Sequence, residues 1–219
     1  MNKELIKRVI TSFILLFILA VSYINKYFLA LTLIAISILS FIEFKNLINK
    51  IFNNLSTGIA NFKIILLLIS LIYLIIFSLT IWNFINYYNF KILILYFILV
   101  CVVTDVGGFI FGRIFKGKKL TSISPNKTYT GLIGAYFFSF LLLFIFIETL
   151  NFEIYKISLI TFLLCSFSQI GDLFFSYLKR KANVKDSGTI LPGHGGIIDR
   201  IDGILIGVPV GTLFITFLS

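Results

Sequence analysis

Charge is what this sequence has least of. Only 13% of its 219 residues are Asp, Glu, Lys or Arg, against 59% hydrophobic, and the mean hydropathy is +1.05. So few polar side chains cannot cover a water-facing surface, which excludes a soluble globule and leaves an integral membrane protein with the lipid bilayer as its partner. Acid is scarcer than base: nine Asp and Glu stand against nineteen Lys and Arg, for a net charge of +10. In so apolar a chain that excess suits an anionic membrane surface or anionic substrates; nucleic acid is not an expected partner. There are two cysteines, Cys101 and Cys165, each inside an apolar run. A lone thiol in that setting is a small core residue, so neither a disulfide nor a redox role is expected. No period-two alternation recurs, which leaves helices as the spanning element. The basic start (Lys3, Lys7, Arg8) leads into an apolar run without a small-x-small cleavage site after Ala20, so this segment is expected to be a retained first span rather than a signal peptide.

Apolar runs of spanning length, about 20 residues each, lie near 9–25, 27–44, 63–82, 91–112, 130–150, 155–178 and 201–218. The expected fold is all-α, a polytopic transmembrane helical bundle of about seven spans with its N-terminus cytoplasmic. The range runs from seven to nine, because the 27–44 run is also compatible with a re-entrant pair. This orientation puts sixteen of the nineteen bases on the cytoplasmic side and leaves only Lys26, Lys91 and Lys156 outside, in keeping with the bias of cytoplasmic loops toward Lys and Arg. It also places loops 113–129 and 179–200 on one face, where cytosolic nucleotide is available. Trp82, Tyr87, Tyr88 and Tyr155 read as an outer aromatic belt.

The polar residues concentrate between Ser176 and Asp202. This stretch holds Lys179, Arg180, Lys181, Lys185 and Arg200 with Asp186, Asp199 and Asp202, the single histidine His194, and Gly188, Gly193, Gly195 and Gly196. Asp199 and Asp202, three apart at the start of an apolar run, share a helix face; two carboxylates there repel unless a cation lies between them, which suggests a hard divalent metal. The Pro192–Gly196 turn has a backbone whose amides can approach an anion and leads into a helix start, where free N–H groups favour phosphate. Arg180 and Arg200 offer forked donors for phosphate oxygens. Metal-seeking carboxylates beside anion-seeking bases describe a nucleotide or phosphoryl site.

Acids within spans cost roughly 2.5 to 3.5 kcal/mol near a helix centre and are functional suspects by default. Asp172 stands in a stripe, Gln169, Asp172, Ser176 and Lys179, whose spacing puts all four on one helix face. Asp105 lies among Thr104, Gly107, Gly108 and Gly112, small residues that let another helix approach; it either touches the polar site or bonds a neighbouring helix. Glu43, near Lys45 at a span end, is expected to be a snorkelling interfacial charge. Gly112–Lys119 imitates a phosphate-binding loop but lacks the Ser or Thr that would hold Mg²⁺, so it reads as a basic surface loop.

The 176–202 stretch resembles the signature of the phosphatidate cytidylyltransferases (CDP-diacylglycerol synthases). Ser176, Lys179, Arg180, Lys185, Asp186, Ser187, Gly188, Pro192, His194, Gly195, Gly196, Asp199, Arg200 and Asp202 fall on that pattern. Asp105–Gly112 and Ser124-Pro125-Asn126-Lys127-Thr128, with Gly131 after them, resemble a second block of the family. The resemblance covers roughly the C-terminal half, and residues 1–90 match only in being apolar. It implies an N-terminal helical region, 1–90, and a catalytic region, 91–219, that joins CTP to phosphatidate to give CDP-diacylglycerol and pyrophosphate in phospholipid biosynthesis.

A phosphate monoester is largely dianionic at neutral pH, so the lipid phosphate needs no general base, and the obstacle is its repulsion by the triphosphate. Asp172, Asp199 and Asp202 are the expected metal ligands. Asp172, Lys179, Arg180, Lys185, Asp186, His194 and Arg200 are the expected catalytic set; Asp105, Ser124, Lys127, Thr128, Ser176, Gly195 and Gly196 the substrate-binding set. For His194 a phosphate hydrogen bond or a turn-stabilising contact is favoured over general-base catalysis. The expected cofactor is Mg²⁺, with Mn²⁺ as an alternative and K⁺ among the candidates for a second cation. The resemblance also implies a homodimer in the cell (inner) membrane, with the active site on the cytoplasmic side. A CTP-dependent polyprenol or phytol kinase and an ion-coupled transporter are the competing readings; the former lacks the full signature, and the latter leaves the glycine turn unexplained.

Overall fold

A computed structural model describes residues 3–52, 60–86 and 90–218. Tyr87 and Tyr88 of the expected aromatic belt lie outside the described residues. Among the described residues the elements are seven α-helices: α1 (Lys3–Ile24), α2 (Lys26–Phe52), α3 (Ala60–Asn86), α4 (Lys91–Phe115), α5 (Tyr129–Leu150), α6 (Ile154–Lys181) and α7 (Ile198–Leu218). All seven are long and apolar enough to cross a bilayer, and the described residues form no strand beyond two isolated bridges. The protein is an all-helical, multi-pass membrane protein.

The second apolar run is one unbroken helix, not a re-entrant pair, and it continues past the apolar residues to Phe52. Helices α1 and α2 separate at Asn25, whose side-chain Oδ1 accepts from Tyr27 N at 2.9 Å and Phe28 N at 3.3 Å. An Asn in that position caps the new helix and allows a one-residue junction.

The chain divides into two compact units. Met1–Asn86 with Leu178–Ile201 make the first, and Tyr87–Tyr177 with Asp202–Ser219 make the second. In the first, Leu33, Leu47, Ile48, Phe77 and Ile81 are buried among α1, α2 and α3. Hydroxyl pairs Ser22–Thr32 (2.8 Å) and Ser37–Ser78 (2.7 Å) cross between helices, as hydroxyls do where lipid offers no water to bond. Phe13, Phe17, Leu31 and Ile34 face outward, which is the side lipid covers.

In the second unit α4 and α5 meet along glycines. A Cβ on Gly107 would come within 2.6 Å of the Gly134 carbonyl, and one on Gly131 within 2.7 Å of the Gly108 carbonyl. The small residues of span 4 therefore serve helix approach. Buried hydroxyl bonds reinforce the unit, Thr104 to Ser139 at 2.9 Å and Tyr96 to Thr161 at 2.5 Å. Helix α6 reaches α7 the same way: a Cβ on Gly171 would stand 2.5 Å from the Asp202 carbonyl.

Candidate active site

The chemistry-bearing residues form two clusters, one in each unit. In the first unit α6 stops after Lys181, and Val184 N and Ala182 N close its last turn onto the Lys179 and Leu178 carbonyls. The chain then makes a tight turn in which Leu191 N donates to the Gly195 carbonyl at 2.9 Å and His194 N to the Leu191 carbonyl at 3.0 Å. Gly195 holds φ +85°, where a side chain is strained, and its Cβ would stand 2.9 Å from Asp199 Oδ2.

Asp199, in the first turn of α7, is the hub of this loop. Its Oδ1 pairs with Lys179 Nζ at 2.7 Å, the two side chains being 7% and 13% exposed. Its Oδ2 accepts from Ser187 N (2.8 Å), Gly196 N (2.9 Å) and Ser187 Oγ (3.0 Å). The anion held at this helix start is thus one of the protein's own carboxylates, and the Gly196 amide is committed to it. Charge-assisted bonds of this kind are about twice as strong as neutral ones, so the loop is held as a unit.

A second carboxylate holds the same loop, and it corrects an expectation. Glu43 is not a snorkelling surface charge. It is 1% exposed, accepts from Ser187 Oγ at 2.8 Å, and takes Ile197 N (2.9 Å) and Ile198 N (3.0 Å) at the start of α7. The proximity of Lys45 in sequence misled, because Lys45 is exposed while Glu43 points the other way into the unit. The rule that singled out Asp105 and Asp172, an acid in an apolar helix, could have found it: Glu43 is the sole acidic residue of α2.

His194 makes a turn contact. Its Nδ1 lies 2.6 Å from Thr11 Oγ of α1, and its backbone carbonyl accepts from Arg200 Nη2 (2.7 Å) and Nε (3.2 Å). Arg8 Nε donates to the Gly193 carbonyl at 3.1 Å. Thr11 was not legible as a loop contact, and Arg8 was read only as part of the basic start. Partial burial first, and then the positive charges of Arg200 and Arg8, hold the His194 pKa below its ordinary value. Arg180, Lys185 and Asp186 are exposed on the same segment. Among the described residues no ion pair joins Lys185 to Asp186.

The second unit carries the other cluster. Lys127 Nζ pairs with Asp172 Oδ2 at 2.5 Å, with side chains 20% and 24% exposed. Ser176 Oγ donates to Asp172 Oδ1 at 3.2 Å, which places these stripe residues on one face of α6. Lys127 is delivered by a short hairpin: Leu120 N bonds the Lys127 carbonyl at 2.7 Å, Tyr129 N the Lys118 carbonyl at 3.0 Å, and Lys127 N the Ser124 carbonyl at 3.0 Å. Thr128 then caps α5, its Oγ accepting from Gly131 N at 3.0 Å. Asp202 is buried, 6% exposed, and accepts from Gly203 N at 2.8 Å. Asp105 lies on an exposed face of α4 with Val102, Val106 and Phe109.

Among the described residues no three His, Cys, Asp or Glu side chains gather as a metal ion would require. Carboxylate oxygens are nevertheless the donors that Mg²⁺ and similar hard cations take. Here Asp199 and Asp172 are each paired with a lysine ammonium instead, and Asp199 Oδ2 takes three further donors. What each cluster can do is hold anions: an ammonium has three donors, and both Lys179 and Lys127 spend one on a carboxylate.

Comparison with known proteins gives the same direction. A sequence profile of the cytidylyltransferase family matches residues 6–218, so the likeness reaches across the N-terminal helices as well, further than the motifs alone suggested. The chain is 46% identical over 120 residues to a phosphatidate cytidylyltransferase of Staphylococcus haemolyticus, covering 53% of this chain and 46% of the relative. A protein of the same name from Staphylococcus saprophyticus is 45% identical over 121 residues (53% and 46%). One from Helicobacter pylori is 44% identical over 115 residues (52% and 43%). The chain spans about half the length of the curated relatives it matches. With a profile match that takes in both clusters and every helix, the chain belongs to the cytidylyltransferase family.

Proposed function

We propose that the protein transfers the cytidylyl group of CTP to phosphatidate, giving CDP-diacylglycerol and pyrophosphate. The observation that carries this reading is the family match over residues 6–218, which includes both lysine–carboxylate clusters. A phosphate oxygen of phosphatidate attacks the α-phosphorus of CTP, a new P–O–P link forms, and the bond from the α-phosphorus to the leaving pyrophosphate breaks. Because the lipid phosphate is already mostly dianionic, no side chain has to remove a proton from it, which agrees with a His194 engaged with Thr11.

The work left to the protein is neutralisation of two anions. Lys179 keeps donors beyond its bond to Asp199, Arg200 keeps the N–H groups that do not bond the His194 carbonyl, and exposed Arg180 and Lys185 add mobile charge. Lys127, in the second unit, likewise keeps donors beyond its bond to Asp172. A divalent cation, Mg²⁺ by the ordinary preference of nucleotide sites, is proposed as a further source of charge for the triphosphate, with Asp172, Asp199 and Asp202 as its candidate ligands on the sequence pattern alone. The partners proposed are CTP, phosphatidate, the bilayer and, on the family resemblance, a second copy of the chain. The bacterial relatives and the basic loops together favour the inner membrane with the site facing the cytoplasm.

The test is label transfer by the purified protein in lipid nanodiscs containing phosphatidate. Label from the α-phosphate of CTP is expected in the lipid, and label from the γ-phosphate is not. Transfer of γ-label to a lipid alcohol would replace this reading with a kinase, and no transfer of either would remove it.

A further inference from the structure

We propose that Glu43 is a positioning residue for the transfer reaction, setting Asp199 and, through it, the Lys179 ammonium; this rests on the cytidylyl-transfer reading. Glu43 stands 144 to 155 residues before the groups it holds, Ser187, Ile197 and Ile198. Both of its oxygens are used, and it is almost completely buried. Among the described residues no lysine or arginine pairs with it, so its charge is met by two backbone amides at the N-terminus of α7 and by one hydroxyl.

The surrounding sequence makes room for this carboxylate. A Cβ on Gly188 would come within 2.5 Å of Glu43 Oε1, and one on Gly196 would collide with Glu43 Oε2 and Ser187 Oγ. Two glycines of the 176–202 stretch are therefore explained by the side chain of α2 rather than by a phosphate. Without Glu43 the two glycines would leave an opening and two amides without acceptors, a costly state for buried N–H groups.

The consequence for chemistry follows from how the donors are shared. Ser187 Oγ lies 2.8 Å from Glu43 Oε2 and 3.0 Å from Asp199 Oδ2, and a hydroxyl has a single proton to give. Glu43 takes Ile197 N and Ile198 N, so Asp199, whose Oδ2 already holds the Ser187 and Gly196 amides, is not called on to satisfy those two as well. That leaves Asp199 Oδ1 for Lys179. Removing Glu43 presents Asp199 with unsatisfied amides at its own helix start, and the carboxylate that turns to them releases Lys179. Glu43 touches no substrate in this account and acts through Asp199.

The test compares Glu43→Gln with wild type in phosphatidate nanodiscs, reading thermal stability and the separate KM values for CTP and phosphatidate. Leu47→Ala, which empties a buried site on the same helix (1% exposed), is the control for destabilisation alone. Glu43→Gln is expected to raise the CTP KM by about tenfold or more with a smaller change for phosphatidate, and Glu43→Asp to recover part of the loss. Leu47→Ala is expected to lower thermal stability with the CTP KM unchanged. If Glu43→Gln does not fold, Ser187→Ala takes its place: it removes the shared hydroxyl, keeps the backbone amide, and is expected to raise the CTP KM several-fold. A CTP KM within twofold of wild type in the folded variant, or an equal rise in Leu47→Ala, overturns the proposal. Wild-type protein that moves no α-label overturns the cytidylyl-transfer reading itself, whereas active wild type with an unaffected variant overturns only the role of Glu43.

Discussion

The two clusters use the same pair of residue types for different ends. In the first unit, Asp199 and Glu43 together take the amides of Ser187, Gly196, Ile197 and Ile198, and the lysine is one partner among several. In the second, Asp172 meets Lys127 and Ser176 and, among the described residues, no backbone amide. A carboxylate tied to amides fixes the backbone around it; a carboxylate tied to a long flexible amine fixes little and can exchange that partner. The first arrangement shapes a loop, and the second keeps a cation in reserve.

Asp199→Asn would break that contrast most severely. The amide NH₂ would oppose donors at Ser187 and Gly196 and leave the Lys179 ammonium nearly buried without an anion, a change that costs about 3 to 5 kcal/mol. CTP turnover is expected to fall below about one hundredth of wild type. Label transfer checks the rate, and gel filtration in detergent checks that the chain still inserts. Retained turnover would remove Asp199 from the site.

Lys127→Met sharpens the contrast from the other side. Its pair with Asp172 is the more exposed of the two, so stability is expected to fall by less than in Asp199→Asn. Turnover is expected to fall about tenfold to a hundredfold through lost charge at the phosphates. A large drop in thermal stability would mean that this pair also shapes its surroundings, and the distinction would be lost.

Gly134→Ala tests stability without chemistry. The new methyl would press on Phe111 and on the Gly107 carbonyl, and overpacking of this kind costs about 1 to 3 kcal/mol. Thermal stability in detergent is expected to fall while the CTP KM stays as in wild type.

The smallest effect belongs to His194. Its folded-state pKa lies below the unfolded value of about 6.5, so below that pH the unfolded chain binds more protons than the folded one. Its contribution to stability is therefore present above about pH 6.5 and is lost as pH falls through the depressed folded value. Thermal stability measured from pH 7.5 to 5 is expected to decline less steeply in His194→Gln than in wild type. Turnover in His194→Ala is expected to exceed that of Asp199→Asn; a comparable loss would restore general-base catalysis.

The seven helices were legible because lipid enforces them: each must present spanning-length apolar sequence, and hydropathy reports that directly. Their ends were less legible, since α2 and α6 run on past the apolar residues through Asn, Lys and Arg positions that suit a helix in the membrane interface. The 176–202 stretch was legible as the place where polar residues gather, and the 124–128 block as a second polar segment. What sequence could not show is which donor each carboxylate holds. Asp199 was read for its spacing from Asp202, yet its oxygens go to Lys179, Ser187 and Gly196, contacts that depend on how the loop folds back. Glu43 was lost for the same reason, because its partners lie on the far side of four intervening helices in sequence.

The most direct test of the central claim, that protein-borne cations at the carboxylate-braced loop hold the triphosphate, is equilibrium binding of CTP to purified protein in nanodiscs lacking phosphatidate. Wild type is expected to bind CTP, and Lys179→Met to bind it at least about tenfold more weakly with unchanged helical content. Equal affinity in the two proteins would contradict the account.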